Sequence, residues 1–104
     1  MENNQIPNNP DPFTQANPQI IINWIICGNL NKNICDEHGD SLFIHACRNR
    51  IEKLIQFLVL EECDINYISP NHITGLDVYR EGNLYEFLRQ HGAKCKRELG
   101  NRNN

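Results

Sequence analysis

The amino-acid sequence predicts an all-α fold made of short helical hairpins, and three observations lead to this prediction. Apolar residues recur four positions apart, as in Ile21 and Ile25, which is the spacing of one helix face. Residues that favour helix starts mark five positions along the chain. The chain also matches itself at an offset of 33 positions, a period typical of helix–helix–loop repeats. At that offset Ile21, Ile22, Trp24 and Ile25 fall on Leu54, Ile55, Phe57 and Leu58, Asn31 and Asn33 fall on Asp64 and Asn66, and Ser41, Phe43 and Ala46 fall on Thr74, Leu76 and Tyr79.

Length and charge limit the classes of function. A chain of 104 residues, 22% of them charged and 39% hydrophobic, is sufficient for one small globular domain. Its formal net charge of -3 supplies no general attraction for nucleic acid or for anionic lipid. The strongest apolar run, residues 20–27, is broken by Asn23 and is too short to cross a membrane. We therefore expect neither a nucleic-acid nor a membrane partner.

The first helix is expected after a polar arm. Residues 1–17 are rich in Asn and Pro and contain few apolar side chains besides Ile6 and Phe13, so they are predicted to be mostly disordered. Asn17 before Pro18 is a helix-start signal, because Asn accepts bonds from free backbone N–H groups and Pro loses none there. The helix is expected to end near Cys27, before Gly28.

Four further helix starts are marked by capping residues. Helices are predicted near residues 41–49, 50–61, 74–81 and 84–91, with extended turns over 29–40 and 62–73. Ser41 precedes the first of them. Capping boxes are predicted for the other three, pairing Asn49 with Glu52, Thr74 with Asp77, and Asn83 with Glu86. Gly92 ends the last helix, and residues 94–104 are expected to form a flexible basic tail.

The cysteines suggest a reducing compartment. The chain has five, Cys27, Cys35, Cys47, Cys63 and Cys95, an odd number at wide spacing that fits free thiols in a cytoplasm. Together with His38 and His45 they raise two alternatives, a zinc site and a Cys–His nucleophile. The close pairs of ligands that zinc sites use are absent from the sequence, so no metal, no cofactor and no catalysis are expected.

Residues 36–68 follow a known repeat pattern position by position. Residues 36–46, DEHGDSLFIHA, match the opening D-x-x-G-x-T-P-L-H-x-A, and residues 54–58 and 64–66 match its second helix and closing D-V-N. Residues 74–77 and 87–93 form a second copy that is three residues short. The chain thus resembles the ankyrin repeat family over residues 18–93, as about two and a half repeats. The resemblance departs at Leu42, Ile44 and Arg50, where the family often has Pro, His and Gly.

The resemblance implies a short ankyrin-like solenoid that binds another protein through its hairpin tips and the outer face of its first helices. The expected contact residues are Glu37, His38, Asp40, Arg48, Asn49, Tyr67, Ile68, Pro70, Asn71, Ile73 and Glu81. The first helix is apolar nearly all round, so Trp24 and Ile26 are expected to meet a partner, a second copy or the arm. The expected role is that of an adaptor or inhibitor in the cytoplasm, including that of a small effector or effector regulator delivered into a host cell.

Overall fold

A computed structural model describes residues 10–100, and these residues form six helices. The helices are α1 (Pro18–Ile26), α2 (Leu42–Arg48), α3 (Glu52–Leu60), α4 (Gly75–Val78), α5 (Tyr85–Gln90) and α6 (Lys96–Gly100). Within this range the only β-type pairing is an isolated bridge between Cys35 and Ser41. The prediction of an all-α fold is confirmed.

Three of the predicted caps have the expected geometry. The Asn17 side chain accepts a hydrogen bond from the backbone N–H of Gln19 (2.9 Å) at the start of α1. Ser41 Oγ accepts from the N–H of Ile44 (3.1 Å) at the start of α2. At α4, Thr74 and Asp77 form a complete capping box. Short polar side chains thus satisfy backbone donors that the first turn of a helix leaves without partners.

The capping boxes predicted at Asn49 and Asn83 are wrong. Helix α3 begins after Ile51 and α5 after Leu84, and neither has a side-chain cap. Asn49 instead closes the preceding helix, because its Nδ2 donates to the carbonyl of His45 (2.9 Å). The N–H of Leu84 is satisfied by Tyr79 Oη (3.0 Å), so tertiary packing provides the acceptor there.

The helices pack in a regular pattern. Helix α2 lies against both α3 and α4, and α1 lies against α3, so the first helices of the two hairpins are in contact. One apolar cluster runs through these contacts. Its fully buried members include Ile21, Leu42, Ala46, Cys47, Leu54, Ile55, Leu58, Tyr79 and Leu88. The core is therefore built between successive hairpins, as expected when a single hairpin cannot cover its own apolar face.

The two loops before α2 and α4 repeat the same backbone bonds 33 positions apart. The N–H of Asp36 donates to the carbonyl of Asp40 (2.9 Å), and the N–H of Ser69 donates to the carbonyl of Ile73 (2.9 Å). Each loop contains a residue in the left-handed region, Gly39 at φ 90° and His72 at φ 67°. We call residues 35–40 the first tip and residues 67–73 the second tip.

The helix ends follow a different offset. Helix α1 closes with a bond from the N–H of Asn29 to the carbonyl of Trp24 (2.9 Å), and α3 closes with the same bond from Cys63 to Leu58 (3.0 Å). These pairs are 34 positions apart, so the alignment of α1 on α3 at 33 is off by one residue. The loop after α1 holds one extra residue, and Trp24 corresponds to Leu58 rather than to Phe57.

Asparagines 33 positions apart tie each turn to the next one. Asn33 Oδ1 accepts from the N–H of Asp64 (2.8 Å), and Asn66 Oδ1 accepts from the N–H of Lys94 (2.8 Å). Asn66 also donates to the carbonyl of Gly92 (3.0 Å). The turn after α3 is thus bonded to Asn33 in the turn after α1, and the turn after α5 is bonded to Asn66 in the turn after α3.

Arg50 occupies the position where a glycine was expected, and it adopts a left-handed φ of 55°. Its guanidinium lies over the Tyr79 ring, 4.2 Å from the centroid, and donates to the carbonyl of Glu81 (2.6 Å). Tyr79 is fully buried, and its hydroxyl donates to Glu52 Oε2 (2.9 Å). The backbone strain at Arg50 is therefore offset by contacts that join α3 to the residues after α4.

The start of the basic tail is not free. Residues 96–100 form α6, and Arg89 of α5 holds Glu98 with two hydrogen bonds of 2.8 and 3.2 Å. Glu98 also accepts from the N–H of Cys95 (2.8 Å). The spacing of three residues from Cys95 to Glu98 is that of half a capping box, and this signal in the sequence was missed.

Acid is expected to release α6. The hydrogen bonds from Arg89 and from the backbone of Cys95 lower the pKa of Glu98 to about 2. Because the folded pKa lies below the unfolded value of about 4.3, the contribution of Glu98 to stability is complete above that value and is lost as the pH falls toward 2. The protection of the amides of residues 94–100 against hydrogen exchange, measured relative to the intrinsic rate at each pH, should therefore fall as the pH is lowered from about 4.5 to 2.

The Glu98→Gln variant is the control for this prediction. Gln cannot ionise, so exchange in residues 94–100 should start faster in the variant and lose most of its acid dependence, after correction for intrinsic exchange rates. An acid profile that is the same in both proteins would contradict the role of Glu98.

Candidate protein-binding surface

The two tips lie side by side. Tyr67 Oη of the second tip donates to the carbonyl of Gly39 in the first tip (2.7 Å). Pro70 packs so closely on Gly39 that a Cβ at that position would overlap its ring. The neighbouring Cys35 side chain, followed by burial, raises the pKa of Tyr67. The tips therefore form one continuous surface, which we call the tip surface.

The tip surface carries most of the residues that the sequence predicted as contacts. The side chains of Glu37 and His38 are exposed on the first tip, and His38 Nε2 lies 3.5 Å from Glu37 Oε2. On the second tip Ile68, Pro70 and Asn71 are exposed, whereas Tyr67 and Ile73 are half-buried. The structure thus brings polar, aromatic and apolar side chains from two loops together on one face.

Asp40 is an exception among the predicted contact residues. It is only 6% exposed, and its Oδ2 accepts a hydrogen bond from Arg48 (2.7 Å). Its Oδ1 is buried without a hydrogen-bond partner among the described residues. Asp40 is therefore a structural residue that orients Arg48, whose side chain remains 44% exposed.

The ends of the first helices contribute three more exposed residues. Arg48 and Asn49 lie at the end of α2, and Glu81 follows α4. The carbonyl of Glu81 is held by Arg50, but its side chain is exposed. These residues agree with the predicted outer face in exposure, although Asn49 is partly engaged by His45.

Helix α1 divides into a buried and an exposed side. Trp24 is 8% exposed and packs in the core, so the prediction that it meets a partner is corrected: replacing it would test folding rather than binding. Ile26 is 66% exposed, and its contact with a partner stays a prediction. Leu60, 34 positions later, is 65% exposed at the equivalent end of α3 and was not identified from the sequence.

Part of the arm predicted as disordered packs on the domain. Pro12 is buried, and the Phe13 ring meets the His45 ring of α2 edge to face, with 5.3 Å between centroids. Asp11 Oδ1 accepts from the N–H of Phe13 (2.9 Å), which fixes a short turn. One of the three alternatives for covering α1 was the arm with Phe13 and Ile6. The ring contact of Phe13 is with α2, and Ile6 lies outside the described residues.

A groove lies between the arm and the first tip. It has a volume of about 780 Å³ and is lined by residues 10–14, 29–31 and 34–38. This volume is within the range of ligand-binding clefts. The groove was missed because a Pro- and Asn-rich segment contains too few apolar residues to indicate a packed wall. The Asp11-x-Phe13 turn was the available signal.

The buried thiols are poorly suited to nucleophilic chemistry. Burial raises the pKa of the Cys47 thiol, and burial with the neighbouring Asp64 raises the pKa of Cys63 to about 12. A nucleophilic cysteine needs the opposite shift, because the thiolate is the reactive form. Burial also raises the pKa of the Cys95 thiol, which is unfavourable for a nucleophile.

The environment of His45 and the arrangement of possible metal ligands do not define a site in the described residues. Burial lowers the pKa of His45 in α2, although Asp36 and Asp11 oppose this shift. Over residues 10–100, no group of three or more His, Cys, Asp or Glu side chains is arranged to hold a metal ion. None of the helices in the described part of the chain has the length and apolar character needed to cross a membrane.

Comparison of the chain with models of protein families, with curated proteins and with solved structures finds no match. The structure thus defines an all-α domain with packed helical hairpins and two adjacent tips.

Proposed function

We propose that this chain is a short ankyrin-like array that binds another protein non-covalently through its tip surface. Three features support the array. The backbone hydrogen bonds of the first tip recur in the second tip 33 residues later. Helix α2 packs on α4, and α1 packs on α3. The side chains of Asn33 and Asn66 join consecutive turns by hydrogen bonds. These features are in addition to the motif resemblance of residues 36–68.

The observation that carries the proposed binding role is the contact between the two tips. Their backbones are tied together by Tyr67 and Pro70, so the loops are held on a rigid helical scaffold while Glu37, His38 and Asn71 remain exposed. Loops positioned in this way are common binding surfaces, because little conformational freedom is lost when a partner docks. Mixed polar and aromatic chemistry suits recognition of a protein.

The proposed role is that of an adaptor or an inhibitor that covers a site on its partner, without catalysis of its own. The cysteines of the described residues are all free, which fits a reducing cytoplasm, including that of a host cell for an effector or effector regulator. The raised pKa values of Cys47 and Cys63 favour binding over the alternative of a Cys-dependent enzyme.

An affinity pull-down from the source cell tests the proposal with two matched variants. The tip variant carries Ile68→Lys and Asn71→Lys, two exposed positions of the second tip. The control variant carries Leu60→Lys and Asn83→Lys, an exposed apolar residue and an exposed Asn elsewhere. We expect the tip variant to bind the captured protein at least about tenfold more weakly, with the control variant unchanged.

Thermal melting completes this test. The partner should raise the melting temperature of the wild-type chain and of the control variant, because it binds only the folded form, and it should raise that of the tip variant much less. The proposal is wrong if the tip variant, with a wild-type melting temperature of its own, binds the partner normally. Loss of binding in the control variant alone would move the interface to the ends of α1 and α3.

A further inference from the structure

The groove between the arm and the first tip has an apolar floor. Phe13, Leu30 and Ile34 line it, and all three also pack against the hydrophobic core. Packing against the core therefore restricts the movement of each of these side chains. Apolar side chains of a bound segment would be removed from water there.

The rim of the groove is acidic. Asp11, Asp36 and Glu37 line it, and no Lys or Arg is found among its described lining residues. Three carboxylates with low-dielectric walls concentrate a negative potential inside the groove.

Two of these carboxylates are held in fixed orientations. Asp36 Oδ1 accepts from the N–H groups of His38 (2.8 Å) and Asp40 (3.0 Å), and Asp11 Oδ1 accepts from the N–H of Phe13 (2.9 Å). No hydrogen bond within residues 10–100 reaches the second oxygen of either group. A guanidinium or ammonium can therefore bind these oxygens without first ordering the side chains.

We propose that the groove binds an extended segment of the partner protein in which Lys or Arg alternates with apolar residues. This inference rests on the proposed binding function and names the chemistry of the partner. Charge complementarity selects a cationic segment, and the apolar floor selects one with apolar side chains between its charges. The groove continues into the first tip through Glu37 and His38, so one partner can contact both surfaces.

Fluorescence polarisation with defined peptides tests this proposal on the full chain. The probe is a fluorescein-labelled peptide of alternating Arg and Leu. Two comparison peptides replace Arg by Glu or Leu by Gly. We expect the Arg–Leu peptide to bind, the Glu–Leu peptide to show no binding, and the Arg–Gly peptide to bind more weakly because it leaves the floor uncovered.

Amide substitutions remove the rim charge while they keep the oxygens that accept the turn bonds. The groove variant is Asp11→Asn, Asp36→Asn and Glu37→Gln. The control variant is Glu62→Gln, Asp64→Asn and Glu86→Gln, which changes the net charge equally at exposed positions outside the groove. The groove variant should bind the Arg–Leu peptide about tenfold more weakly and with a smaller dependence on salt, and the control variant should stay close to wild type.

Several results would overturn the proposal. Equal binding of the Arg–Leu and Glu–Leu peptides would do so, and so would equal binding of the Arg–Leu peptide by the groove and control variants. Absence of Arg–Leu peptide binding to the wild-type chain at low salt would also overturn it. Sedimentation provides another: if the wild-type chain self-associates and the groove variant does not, the occupant is the basic end of a second copy, near Lys94 and Arg97.

The groove proposal and the proposed function can fail separately. Neither Ile68 nor Asn71 lines the groove, so the tip variant leaves it intact. If the tip variant loses the captured partner and the groove variant retains it, only the groove proposal is wrong. If both variants retain the partner, the proposed binding surface is wrong as well.

Discussion

The Gly75→Ala variant is expected to be less stable than the wild-type chain by about 2–3 kcal/mol, because it forces α4 away from α2. Gly75 is buried at the start of α4, and a Cβ there would overlap the Phe43 ring and lie 3.0 Å from Cys47 Sγ. Both neighbours are core residues of α2 and cannot turn toward solvent. Chemical denaturation followed by circular dichroism measures the change.

A second substitution tests the cause of this loss. Phe43→Leu removes the ring atoms that an alanine at position 75 would meet, so the double variant should be more stable than the sum of the two single changes predicts. Gly100→Ala is the matched control, because its Cβ would meet only the flexible end of Lys96 at 3.5 Å. Additive effects of Gly75→Ala and Phe43→Leu would show that the two helices do not meet at this point.

The same contact explains why a small residue is needed at this position. Helices α2 and α4 belong to successive hairpins, they are in contact, and both contribute residues to the apolar core. A one-methyl change at Gly75, where Phe43 of α2 lies against α4, therefore acts on the packing of one hairpin on the next. Because interiors are close-packed, the cost falls on the contact between the two hairpins rather than on one helix.

Signals contained within one helix were read correctly from the sequence. Ser41 and the pair of Thr74 and Asp77 cap helices through bonds that span three residues, so the local pattern is sufficient to predict them. Asn49 has the same local pattern, but Arg50 takes a left-handed conformation and α3 starts two residues later than the box requires. That conformation depends on Tyr79, which is distant in the chain and invisible to a local pattern.

Features formed by polar segments were the ones that sequence reasoning missed. The arm and the tail contain too few apolar residues to predict burial, yet Pro12 is buried and α6 docks through Arg89 and Glu98. These segments are held by hydrogen bonds and single rings rather than by an apolar face. The groove follows from the arm, so it could not be predicted while residues 10–14 were read as disordered.

Asp77 connects the last hairpin to α6, and its replacement by alanine is expected to cost about 2 kcal/mol and to release α6. Its Oδ2 accepts from the N–H of Thr74 (2.8 Å) and from the N–H of Lys96 (2.9 Å). Thr74 is fully buried, and its hydroxyl donates to the carbonyl of Lys94 (2.7 Å). Loss of the carboxylate leaves two backbone donors without their acceptor at the junction of two helices.

Hydrogen exchange distinguishes this role from a general loss of stability. In Asp77→Ala, protection should fall most in residues 94–100 and at the start of α4, whereas Asp77→Asn keeps an oxygen acceptor and should retain most of it. Glu86→Ala is the control, since Glu86 is an exposed acidic residue in the first turn of α5 with no side-chain hydrogen bond among the described residues. If protection falls evenly across the chain, or if Glu86→Ala has the same effect, Asp77 does not hold α6 against α4.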